Sequence, residues 1–359
     1  MVAGHNLGPF YFNEPDALTL GSRRPGITSA TASKSSMSLW MLLLAALYSV
    51  WFVYTDRHKS DGGVWGSTRF ARGLGAVCAA LLNLMGVTST IVFTDDGLSG
   101  QCIGAGSPHG AFPVTQMCFA LFAFRCNKRF DTFKLRSAGA SVLFYVPLLR
   151  ELLLMLGVRD AGRANLQMLL RSGHSVAVCP GGIWEMVNTR HDQEQIFLQR
   201  NLGFIRLAMR HGLPIVPIYT FGENQLFTVH TPLRALRLWV AHHLRVGLPL
   251  VTGRFGLPGI PFPVPLPTAV THVVGRAVPT GAVNPHPTDA ELERVLEGYL
   301  AELGRIFRRH APSCLPPAIA AKGLRVEWRS HAVRFVGIDD PPPPQTMPAD
   351  AATNRRKVC

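Results

Sequence analysis

The residues best suited to chemistry in this 359-residue chain stand in three short polar turns, each just past an apolar run. Ser107-Pro108-His109-Gly110 follows Gln101 to Ala105. Pro180-Gly181-Gly182-Ile183-Trp184-Glu185 follows Ser175 to Cys179, and Phe221-Gly222-Glu223-Asn224 follows Ile215 to Tyr219. His109 carries a ring that titrates near neutrality and suits proton transfer, although Pro-His-Gly alone equally describes an exposed loop histidine. Gly181 and Gly182 either let a ligand approach the backbone, with N–H groups turned inward, or form a plain strand-to-helix turn. Arg200 and Arg254, beside Gly203 and Gly253, offer forks for phosphate, or are solvated charges. His242, His243 and His272 lack ligand spacing with Cys, Asp or Glu, so no metal site is read.

These turns need strands to hold them. Apolar runs at Ile91 to Phe93, Gln101 to Ala105, Phe133 to Ser137, Ser175 to Cys179 and Ile215 to Tyr219 predict strands. Helical spacing recurs over Thr115 to Phe124, Pro147 to Leu156, Arg163 to Ser172 and Asp289 to Phe307. In RNLGFIRLAMRHGLPIVPIYTFGEN, Arg200 to Asn224, Phe204, Leu207 and Ala208 mark one helix face, and Gly212 supplies the stop. Ile215 to Tyr219 then runs as a buried strand, and Glu223 and Asn224 lie beyond its carboxyl end, where α/β sheets usually bind ligands. The alternation predicts an α/β fold with a mixed, largely parallel sheet covered by helices. The proline-rich Leu257 to Pro267 cannot be a central strand and is read as a loop at a substrate groove.

Residues 1–37 read as a flexible leader and 338–359 as a disordered tail. Leu39 to Tyr54 is uncharged, with Trp40, Trp51 and Tyr54 as an aromatic belt. It predicts a membrane helix or re-entrant hairpin over 38–55, at the short limit for a span; a buried core helix is the alternative. Over 68–86, Phe70, Leu74, Val77, Leu81 and Met85 predict an amphipathic helix, lying in a membrane interface or packed on the protein's own sheet.

Hydrophobic residues make up 47% of the chain and mean hydropathy is +0.18, which points to membrane contact. The net charge is +14, yet only 16% of residues are charged. With no zinc-finger spacing, RNA-binding aromatic motif or basic heptad, nucleic acid is excluded as a partner. An anionic membrane surface and a polyanion such as coenzyme A fit better. Seven cysteines without framework spacing read as reduced thiols facing the cytosol.

Arg200 to Asn224 closely resembles the type-2 diacylglycerol acyltransferase family, which includes monoacylglycerol and wax-alcohol acyltransferases. The family's arginine, GF, RHG, VPIY-type strand and FGEN stand in order. SPHG at Ser107 to Gly110, PGGIWE at Pro180 to Glu185, TGRFG from Thr252 and HVVGRAV from His272 match further landmarks. The resemblance covers residues 65–311, read as the acyltransferase domain. It implies a glycerolipid-acyltransferase-like fold and transfer of an acyl group from acyl-CoA to diacylglycerol, monoacylglycerol or a fatty alcohol, with no other cofactor. It also implies an endoplasmic reticulum membrane location with the catalytic domain facing the cytosol, and lipid droplets as a further site. A homo-oligomer is left open. By the same carry-over His109 is the base and Glu185 its orienting partner, although Glu185 also reads as a first-turn helix carboxylate. Pro108, Gly110, Gly181, Gly182, Arg200, Glu223, Asn224 and Arg254 fall on substrate, the two arginines on coenzyme A phosphate. The chain departs from the family at Ser107, where histidine is usual. Ser107 can hydrogen-bond but cannot carry a proton as imidazole does. Pro113, four residues past His109, leaves the histidine without the local aspartate that related glycerolipid acyltransferases use.

Overall fold

The computed structural model describes residues 29–55, 68–94, 100–116, 119, 135–198, 202–230, 232–244, 246–256, 264–328 and 333–337. They belong to two units, Met1–Thr55 and Asp56–Cys359. The tail 338–359, Phe133 and Arg200 lie outside the described residues, as does most of the proline-rich loop and of the helix expected from Thr115.

In the first unit, a helix α1 runs Ser29–Tyr54. It begins within the segment expected to be a leader and runs unbroken to Tyr54. Its apolar run Leu39–Tyr54 is 16 residues, or about 24 Å of helix against a hydrocarbon core of about 30 Å, within an uncharged stretch Ser35–Tyr54 of 20 residues. Among the described residues no helix is long and apolar enough to cross a membrane. Where the sequence predicts an N-terminal membrane helix, a helix forms, but no membrane span is found among the described residues.

The second unit is built on a seven-stranded sheet in the order β1-β10-β7-β2-β5-β3-β4. Its strands are β1 (Val87–Phe93), β2 (Ile103–Ser107), β3 (Arg136–Gly139), β4 (Val158–Asp160), β5 (Val176–Val178), β7 (Ile215–Phe221) and β10 (Thr268–Val274). From β7 through β4 every pairing is parallel. β1 and β10 pair in parallel with each other and antiparallel to the rest, so the sheet is mixed and largely parallel.

Strand β7 is buried along its whole length, and its alternate side chains go to opposite faces. Ile215, Tyr219 and Phe221 join the main core, while Val216 and Ile218 join a cluster on the other face. Helices α4 (Arg163–Arg171), α6 (Gly203–His211) and α8 (Asp289–Cys314) cover the main-core face. Helix α6 ends as expected at Gly212, whose φ of +60° suits glycine. A Thr288–Glu291 capping box starts α8, which outlasts its expected end at Phe307 and carries Pro312.

Helix α2 (Thr68–Leu84) packs beside β1. Leu74, Cys78, Leu82 and Met85 face the protein, while Val77, Leu81 and Leu84 form an exposed apolar stripe. The single stripe expected from sequence is thus divided between sheet and exterior. Short helices α3 (Leu149–Met155) and α5 (Gly182–Asn188) complete this part, with Pro147 just before the first turn of α3. A second sheet has the order β12-β11-β6, with β11 (Leu324–Trp328) paired to β6 (Gln195–Leu198) on one side and to β12 (Val333–Val336) on the other. The compact unit therefore continues beyond residue 311. Between β8 (Thr228–Val229) and β9 (Val251–Thr252) lies helix α7 (Arg234–His243), and a four-residue helix α9 (Pro317–Ala320) follows α8.

Candidate active site

Strands β7, β2 and β5 are parallel neighbours, so the turns that follow them gather at one edge of the sheet. That edge brings together Ser107 to Gly110, Gly181 to Glu185, and Glu223 with Asn224. Register explains why. Ser107 pairs with Tyr219, and Ala105 pairs with Val178, leaving each polar turn to start within a few residues of its neighbour.

The His109 loop is held through its backbone. Glu185 Oε1 accepts the His109 N–H at 2.6 Å. The imidazole Nδ1 lies 3.1 Å from the Gly110 carbonyl oxygen. A carbonyl only accepts, so this contact puts the proton on Nδ1 and leaves the lone pair on Nε2. The expected pairing of Glu185 with the imidazole is corrected accordingly: a backbone carbonyl orients the ring, and Glu185 orients the loop. Desolvation in the half-buried site lowers the His109 pKa below 6.5, more than the Gly110 contact raises it.

Glycine is required at two of these positions. A Cβ on Gly181 would fall 1.8 Å from Glu185 Oε2. A Cβ on Gly110, whose φ is +69°, would fall 2.9 Å from Glu223 Cγ. Glu223 lies under the loop. It accepts from the Thr115 hydroxyl, and the N–H groups of Val114 and Thr115 face it. FGEN is therefore linked to the His109 loop by packing on Gly110 and by Thr115.

Two positioning residues escaped sequence reading. Gln116 donates to the Pro108 carbonyl and accepts from Cys179 Sγ at 2.8 Å, tying the histidine loop to the end of β5. Glu194, fully buried, accepts from the Tyr219 hydroxyl, from Gln225 Nε2 at 2.8 Å and from Asn224 Nδ2 at 3.4 Å. Asn224 thus anchors the FGEN turn to Glu194. No local motif marks Gln116 or Glu194; a buried carboxylate beside a polar turn is visible only after folding.

Three carboxyls lie close together here, and among the described residues none of their bonds is to a basic side chain. Burial pushes Glu185 and Glu223 each up to about 8 and raises Glu194 as well. The charge of Glu194 adds to the rise at Glu185. At neutral pH Glu185 and Glu223 are mostly protonated. Oε2 of Glu185 makes no hydrogen bond.

Ser107 is buried on the main-core face, the side of Ile103 and Ala105. Its hydroxyl neighbours that of Tyr299 on α8 without a well-formed hydrogen bond and makes none to His109. Arg254 is exposed in the turn after β9, its N–H bonded to the Val264 carbonyl at 2.9 Å.

This arrangement gathers an imidazole, a glycine turn and buried carboxyls at one end of the sheet. The family profile described as diacylglycerol acyltransferase matches residues 36–315. The chain belongs to the diacylglycerol acyltransferase family. Diacylglycerol O-acyltransferase 2 of Dictyostelium discoideum is 26% identical over 76% of this chain and 83% of its own length. The human protein of the same name is 25% identical over 75% and 70%. 2-Acylglycerol O-acyltransferase 1 of Mus musculus is 26% identical over 76% and 82%. No solved structure matches the chain. As a member of this family the protein is an acyltransferase.

Proposed function

We propose that this acyltransferase moves an acyl group from acyl-CoA to the free hydroxyl of diacylglycerol, with His109 as general base. The observation that carries the reading is the Nδ1 contact with the Gly110 carbonyl, which presents Nε2 as the proton acceptor. In the step proposed, Nε2 takes the acceptor's hydroxyl proton while that oxygen bonds to the thioester carbonyl carbon. The carbonyl oxygen gains negative charge, and we assign its stabilisation to the Gly181-Gly182 backbone and the neutral Glu185 carboxyl. Collapse breaks the carbon–sulfur bond. The imidazolium returns its proton to the departing thiolate, leaving ester and free coenzyme A. No acyl-enzyme is formed.

Acyl-CoA and an endoplasmic reticulum membrane location, extending to lipid droplets, are parts of this reading. Monoacylglycerol is the second acceptor to test, since a 2-acylglycerol acyltransferase matches this chain as well as the diacylglycerol enzymes do. The test supplies membranes containing the protein with labelled acyl-CoA and diacylglycerol, monoacylglycerol or fatty alcohol, and separates the lipid products. Triacylglycerol as the main product supports the proposal. Product from another acceptor reassigns the substrate, and no product from any acceptor favours a non-catalytic lipid-binding role.

Arg254 is free to meet a phosphate from its exposed turn. Arg254→Ala should raise KM for acyl-CoA several-fold, with KM for the alcohol unchanged, and Arg200→Ala should do the same. Steady-state kinetics with each substrate varied checks this, and an effect confined to the alcohol moves that arginine to the acceptor side.

A further inference from the structure

Helix α7 is inverted relative to a soluble surface helix. Arg237 is buried, bonded to the carbonyls of Leu248 (2.7 Å), His230 (2.8 Å) and Val187 (3.4 Å). Leu233, Leu236, Trp239 and Leu244 point outward instead, between 52% and 66% exposed. An arginine inside and leucines with a tryptophan outside is a costly arrangement in water and a favourable one against lipid.

The charge around the helix is one-sided. From Gln225 to Thr288 the sequence contains no Asp or Glu. Arg234, His242 and His243 are exposed beside the apolar face. Arg234 donates to Asn188 Oδ1 at 2.7 Å, and no carboxylate pairs with it or with Arg237 among the described residues. Trp239 stacks on His243 with ring centroids 4.7 Å apart, giving an apolar body with a basic rim. Apolar and aromatic side chains flanked by an arginine with no carboxylate partner among the described residues fit the boundary between acyl chains and anionic headgroups.

The helix is also joined to the candidate site. It packs against α5, which carries Glu185, and Arg237 fastens to the α5 carbonyl of Val187. The strands at its two ends, through Val229 and Val251, share one apolar cluster with Leu82 of α2 and with Ala111 and Phe112, which follow His109. From these observations we infer that α7 lies in the interface of an anionic bilayer through Leu233, Leu236, Trp239 and Leu244, holding the His109 edge of the sheet beside the lipid. Why such docking matters rests on the acyltransferase reading; the docking itself is measurable without activity.

The full chain is reconstituted into phosphatidylcholine vesicles brominated on the acyl chains, with or without phosphatidylserine. Trp239 in the acyl region should be quenched, so the wild-type protein should lose a larger part of its tryptophan fluorescence than Trp239→Phe, and phosphatidylserine should widen the difference. Equal quenching of the two proteins overturns the inference. So does a Trp239 shielded from aqueous iodide yet unquenched by bromine, which assigns the face to a second copy. Leu236→Asp with Trp239→Asp should slow transfer to a vesicle-borne acceptor about tenfold and leave transfer to a detergent-dispersed acceptor unchanged. Equal loss in both assays makes α7 a structural element and overturns its docking role. If wild-type protein transfers no acyl group at all, the quenching result still decides the matter.

Discussion

His109→Ala should lower turnover by roughly 10² to 10⁴, the usual worth of a positioned general base, with folding and membrane association intact. Among the described residues the side chain makes one hydrogen bond, to a carbonyl of its own loop, and Glu185 holds the backbone N–H that alanine retains. Removing the ring therefore leaves the loop's anchors in place. Single-turnover kinetics on purified variant and wild type, with circular dichroism as the folding check, measures the effect. A loss confined to KM would make the residue a binding group. Near-normal turnover would end its role as base, and Glu185 or Glu223 would be the next group to examine.

Much of this site could be read from the chain, for reasons particular residues make plain. The α6–β7 passage was legible because Gly212 stops a periodic helix and β7 is buried on both faces, so its apolar run is continuous. The three polar turns converge because the strands before them are parallel neighbours, and alternation of helices and strands implied that arrangement. What the sequence hid depends on distant partners. β6 is short, preceded by the polar run His191 to Glu194, and pairs with β11 well over a hundred residues later. Glu194 looks like a surface acid until Tyr219, Asn224 and Gln225 close on it. The role of Glu185 was misassigned to the imidazole because spacing shows which groups can meet, not whether backbone or side chain makes the bond. Ser107 looked like a site residue from its place in the motif, but strand parity turns it toward Tyr299. The apolar run in α1 was legible as a helix from its unbroken run of apolar residues.

The Glu185 substitutions should separate support from electrostatics. Glu185→Ala leaves the His109 N–H without its acceptor, and an unsatisfied buried donor costs about 1–3 kcal/mol. If that cost falls on the active geometry, kcat should drop roughly ten- to a hundredfold. Glu185→Gln keeps an oxygen to accept the N–H and stays uncharged, as the carboxyl is below its pKa of about 8. Near-neutral activity should therefore largely survive. The pH profile supplies the second reading. Acidification protonates His109, whose pKa lies below 6.5, so the acid limb of kcat/KM should lie below that value. Raising the pH through about 8 ionises Glu185, and its negative charge opposes the charge growing on the thioester oxygen at the glycine turn. Activity should then fall on the alkaline side in wild type and remain flat in Glu185→Gln. Glu223 titrates in the same range but lies under the loop, bonded to Thr115, so Glu223→Gln should retain the alkaline limb. A limb that vanishes in Glu223→Gln and persists in Glu185→Gln would reverse the two assignments. It would place the charge that matters beneath His109, away from the glycine turn.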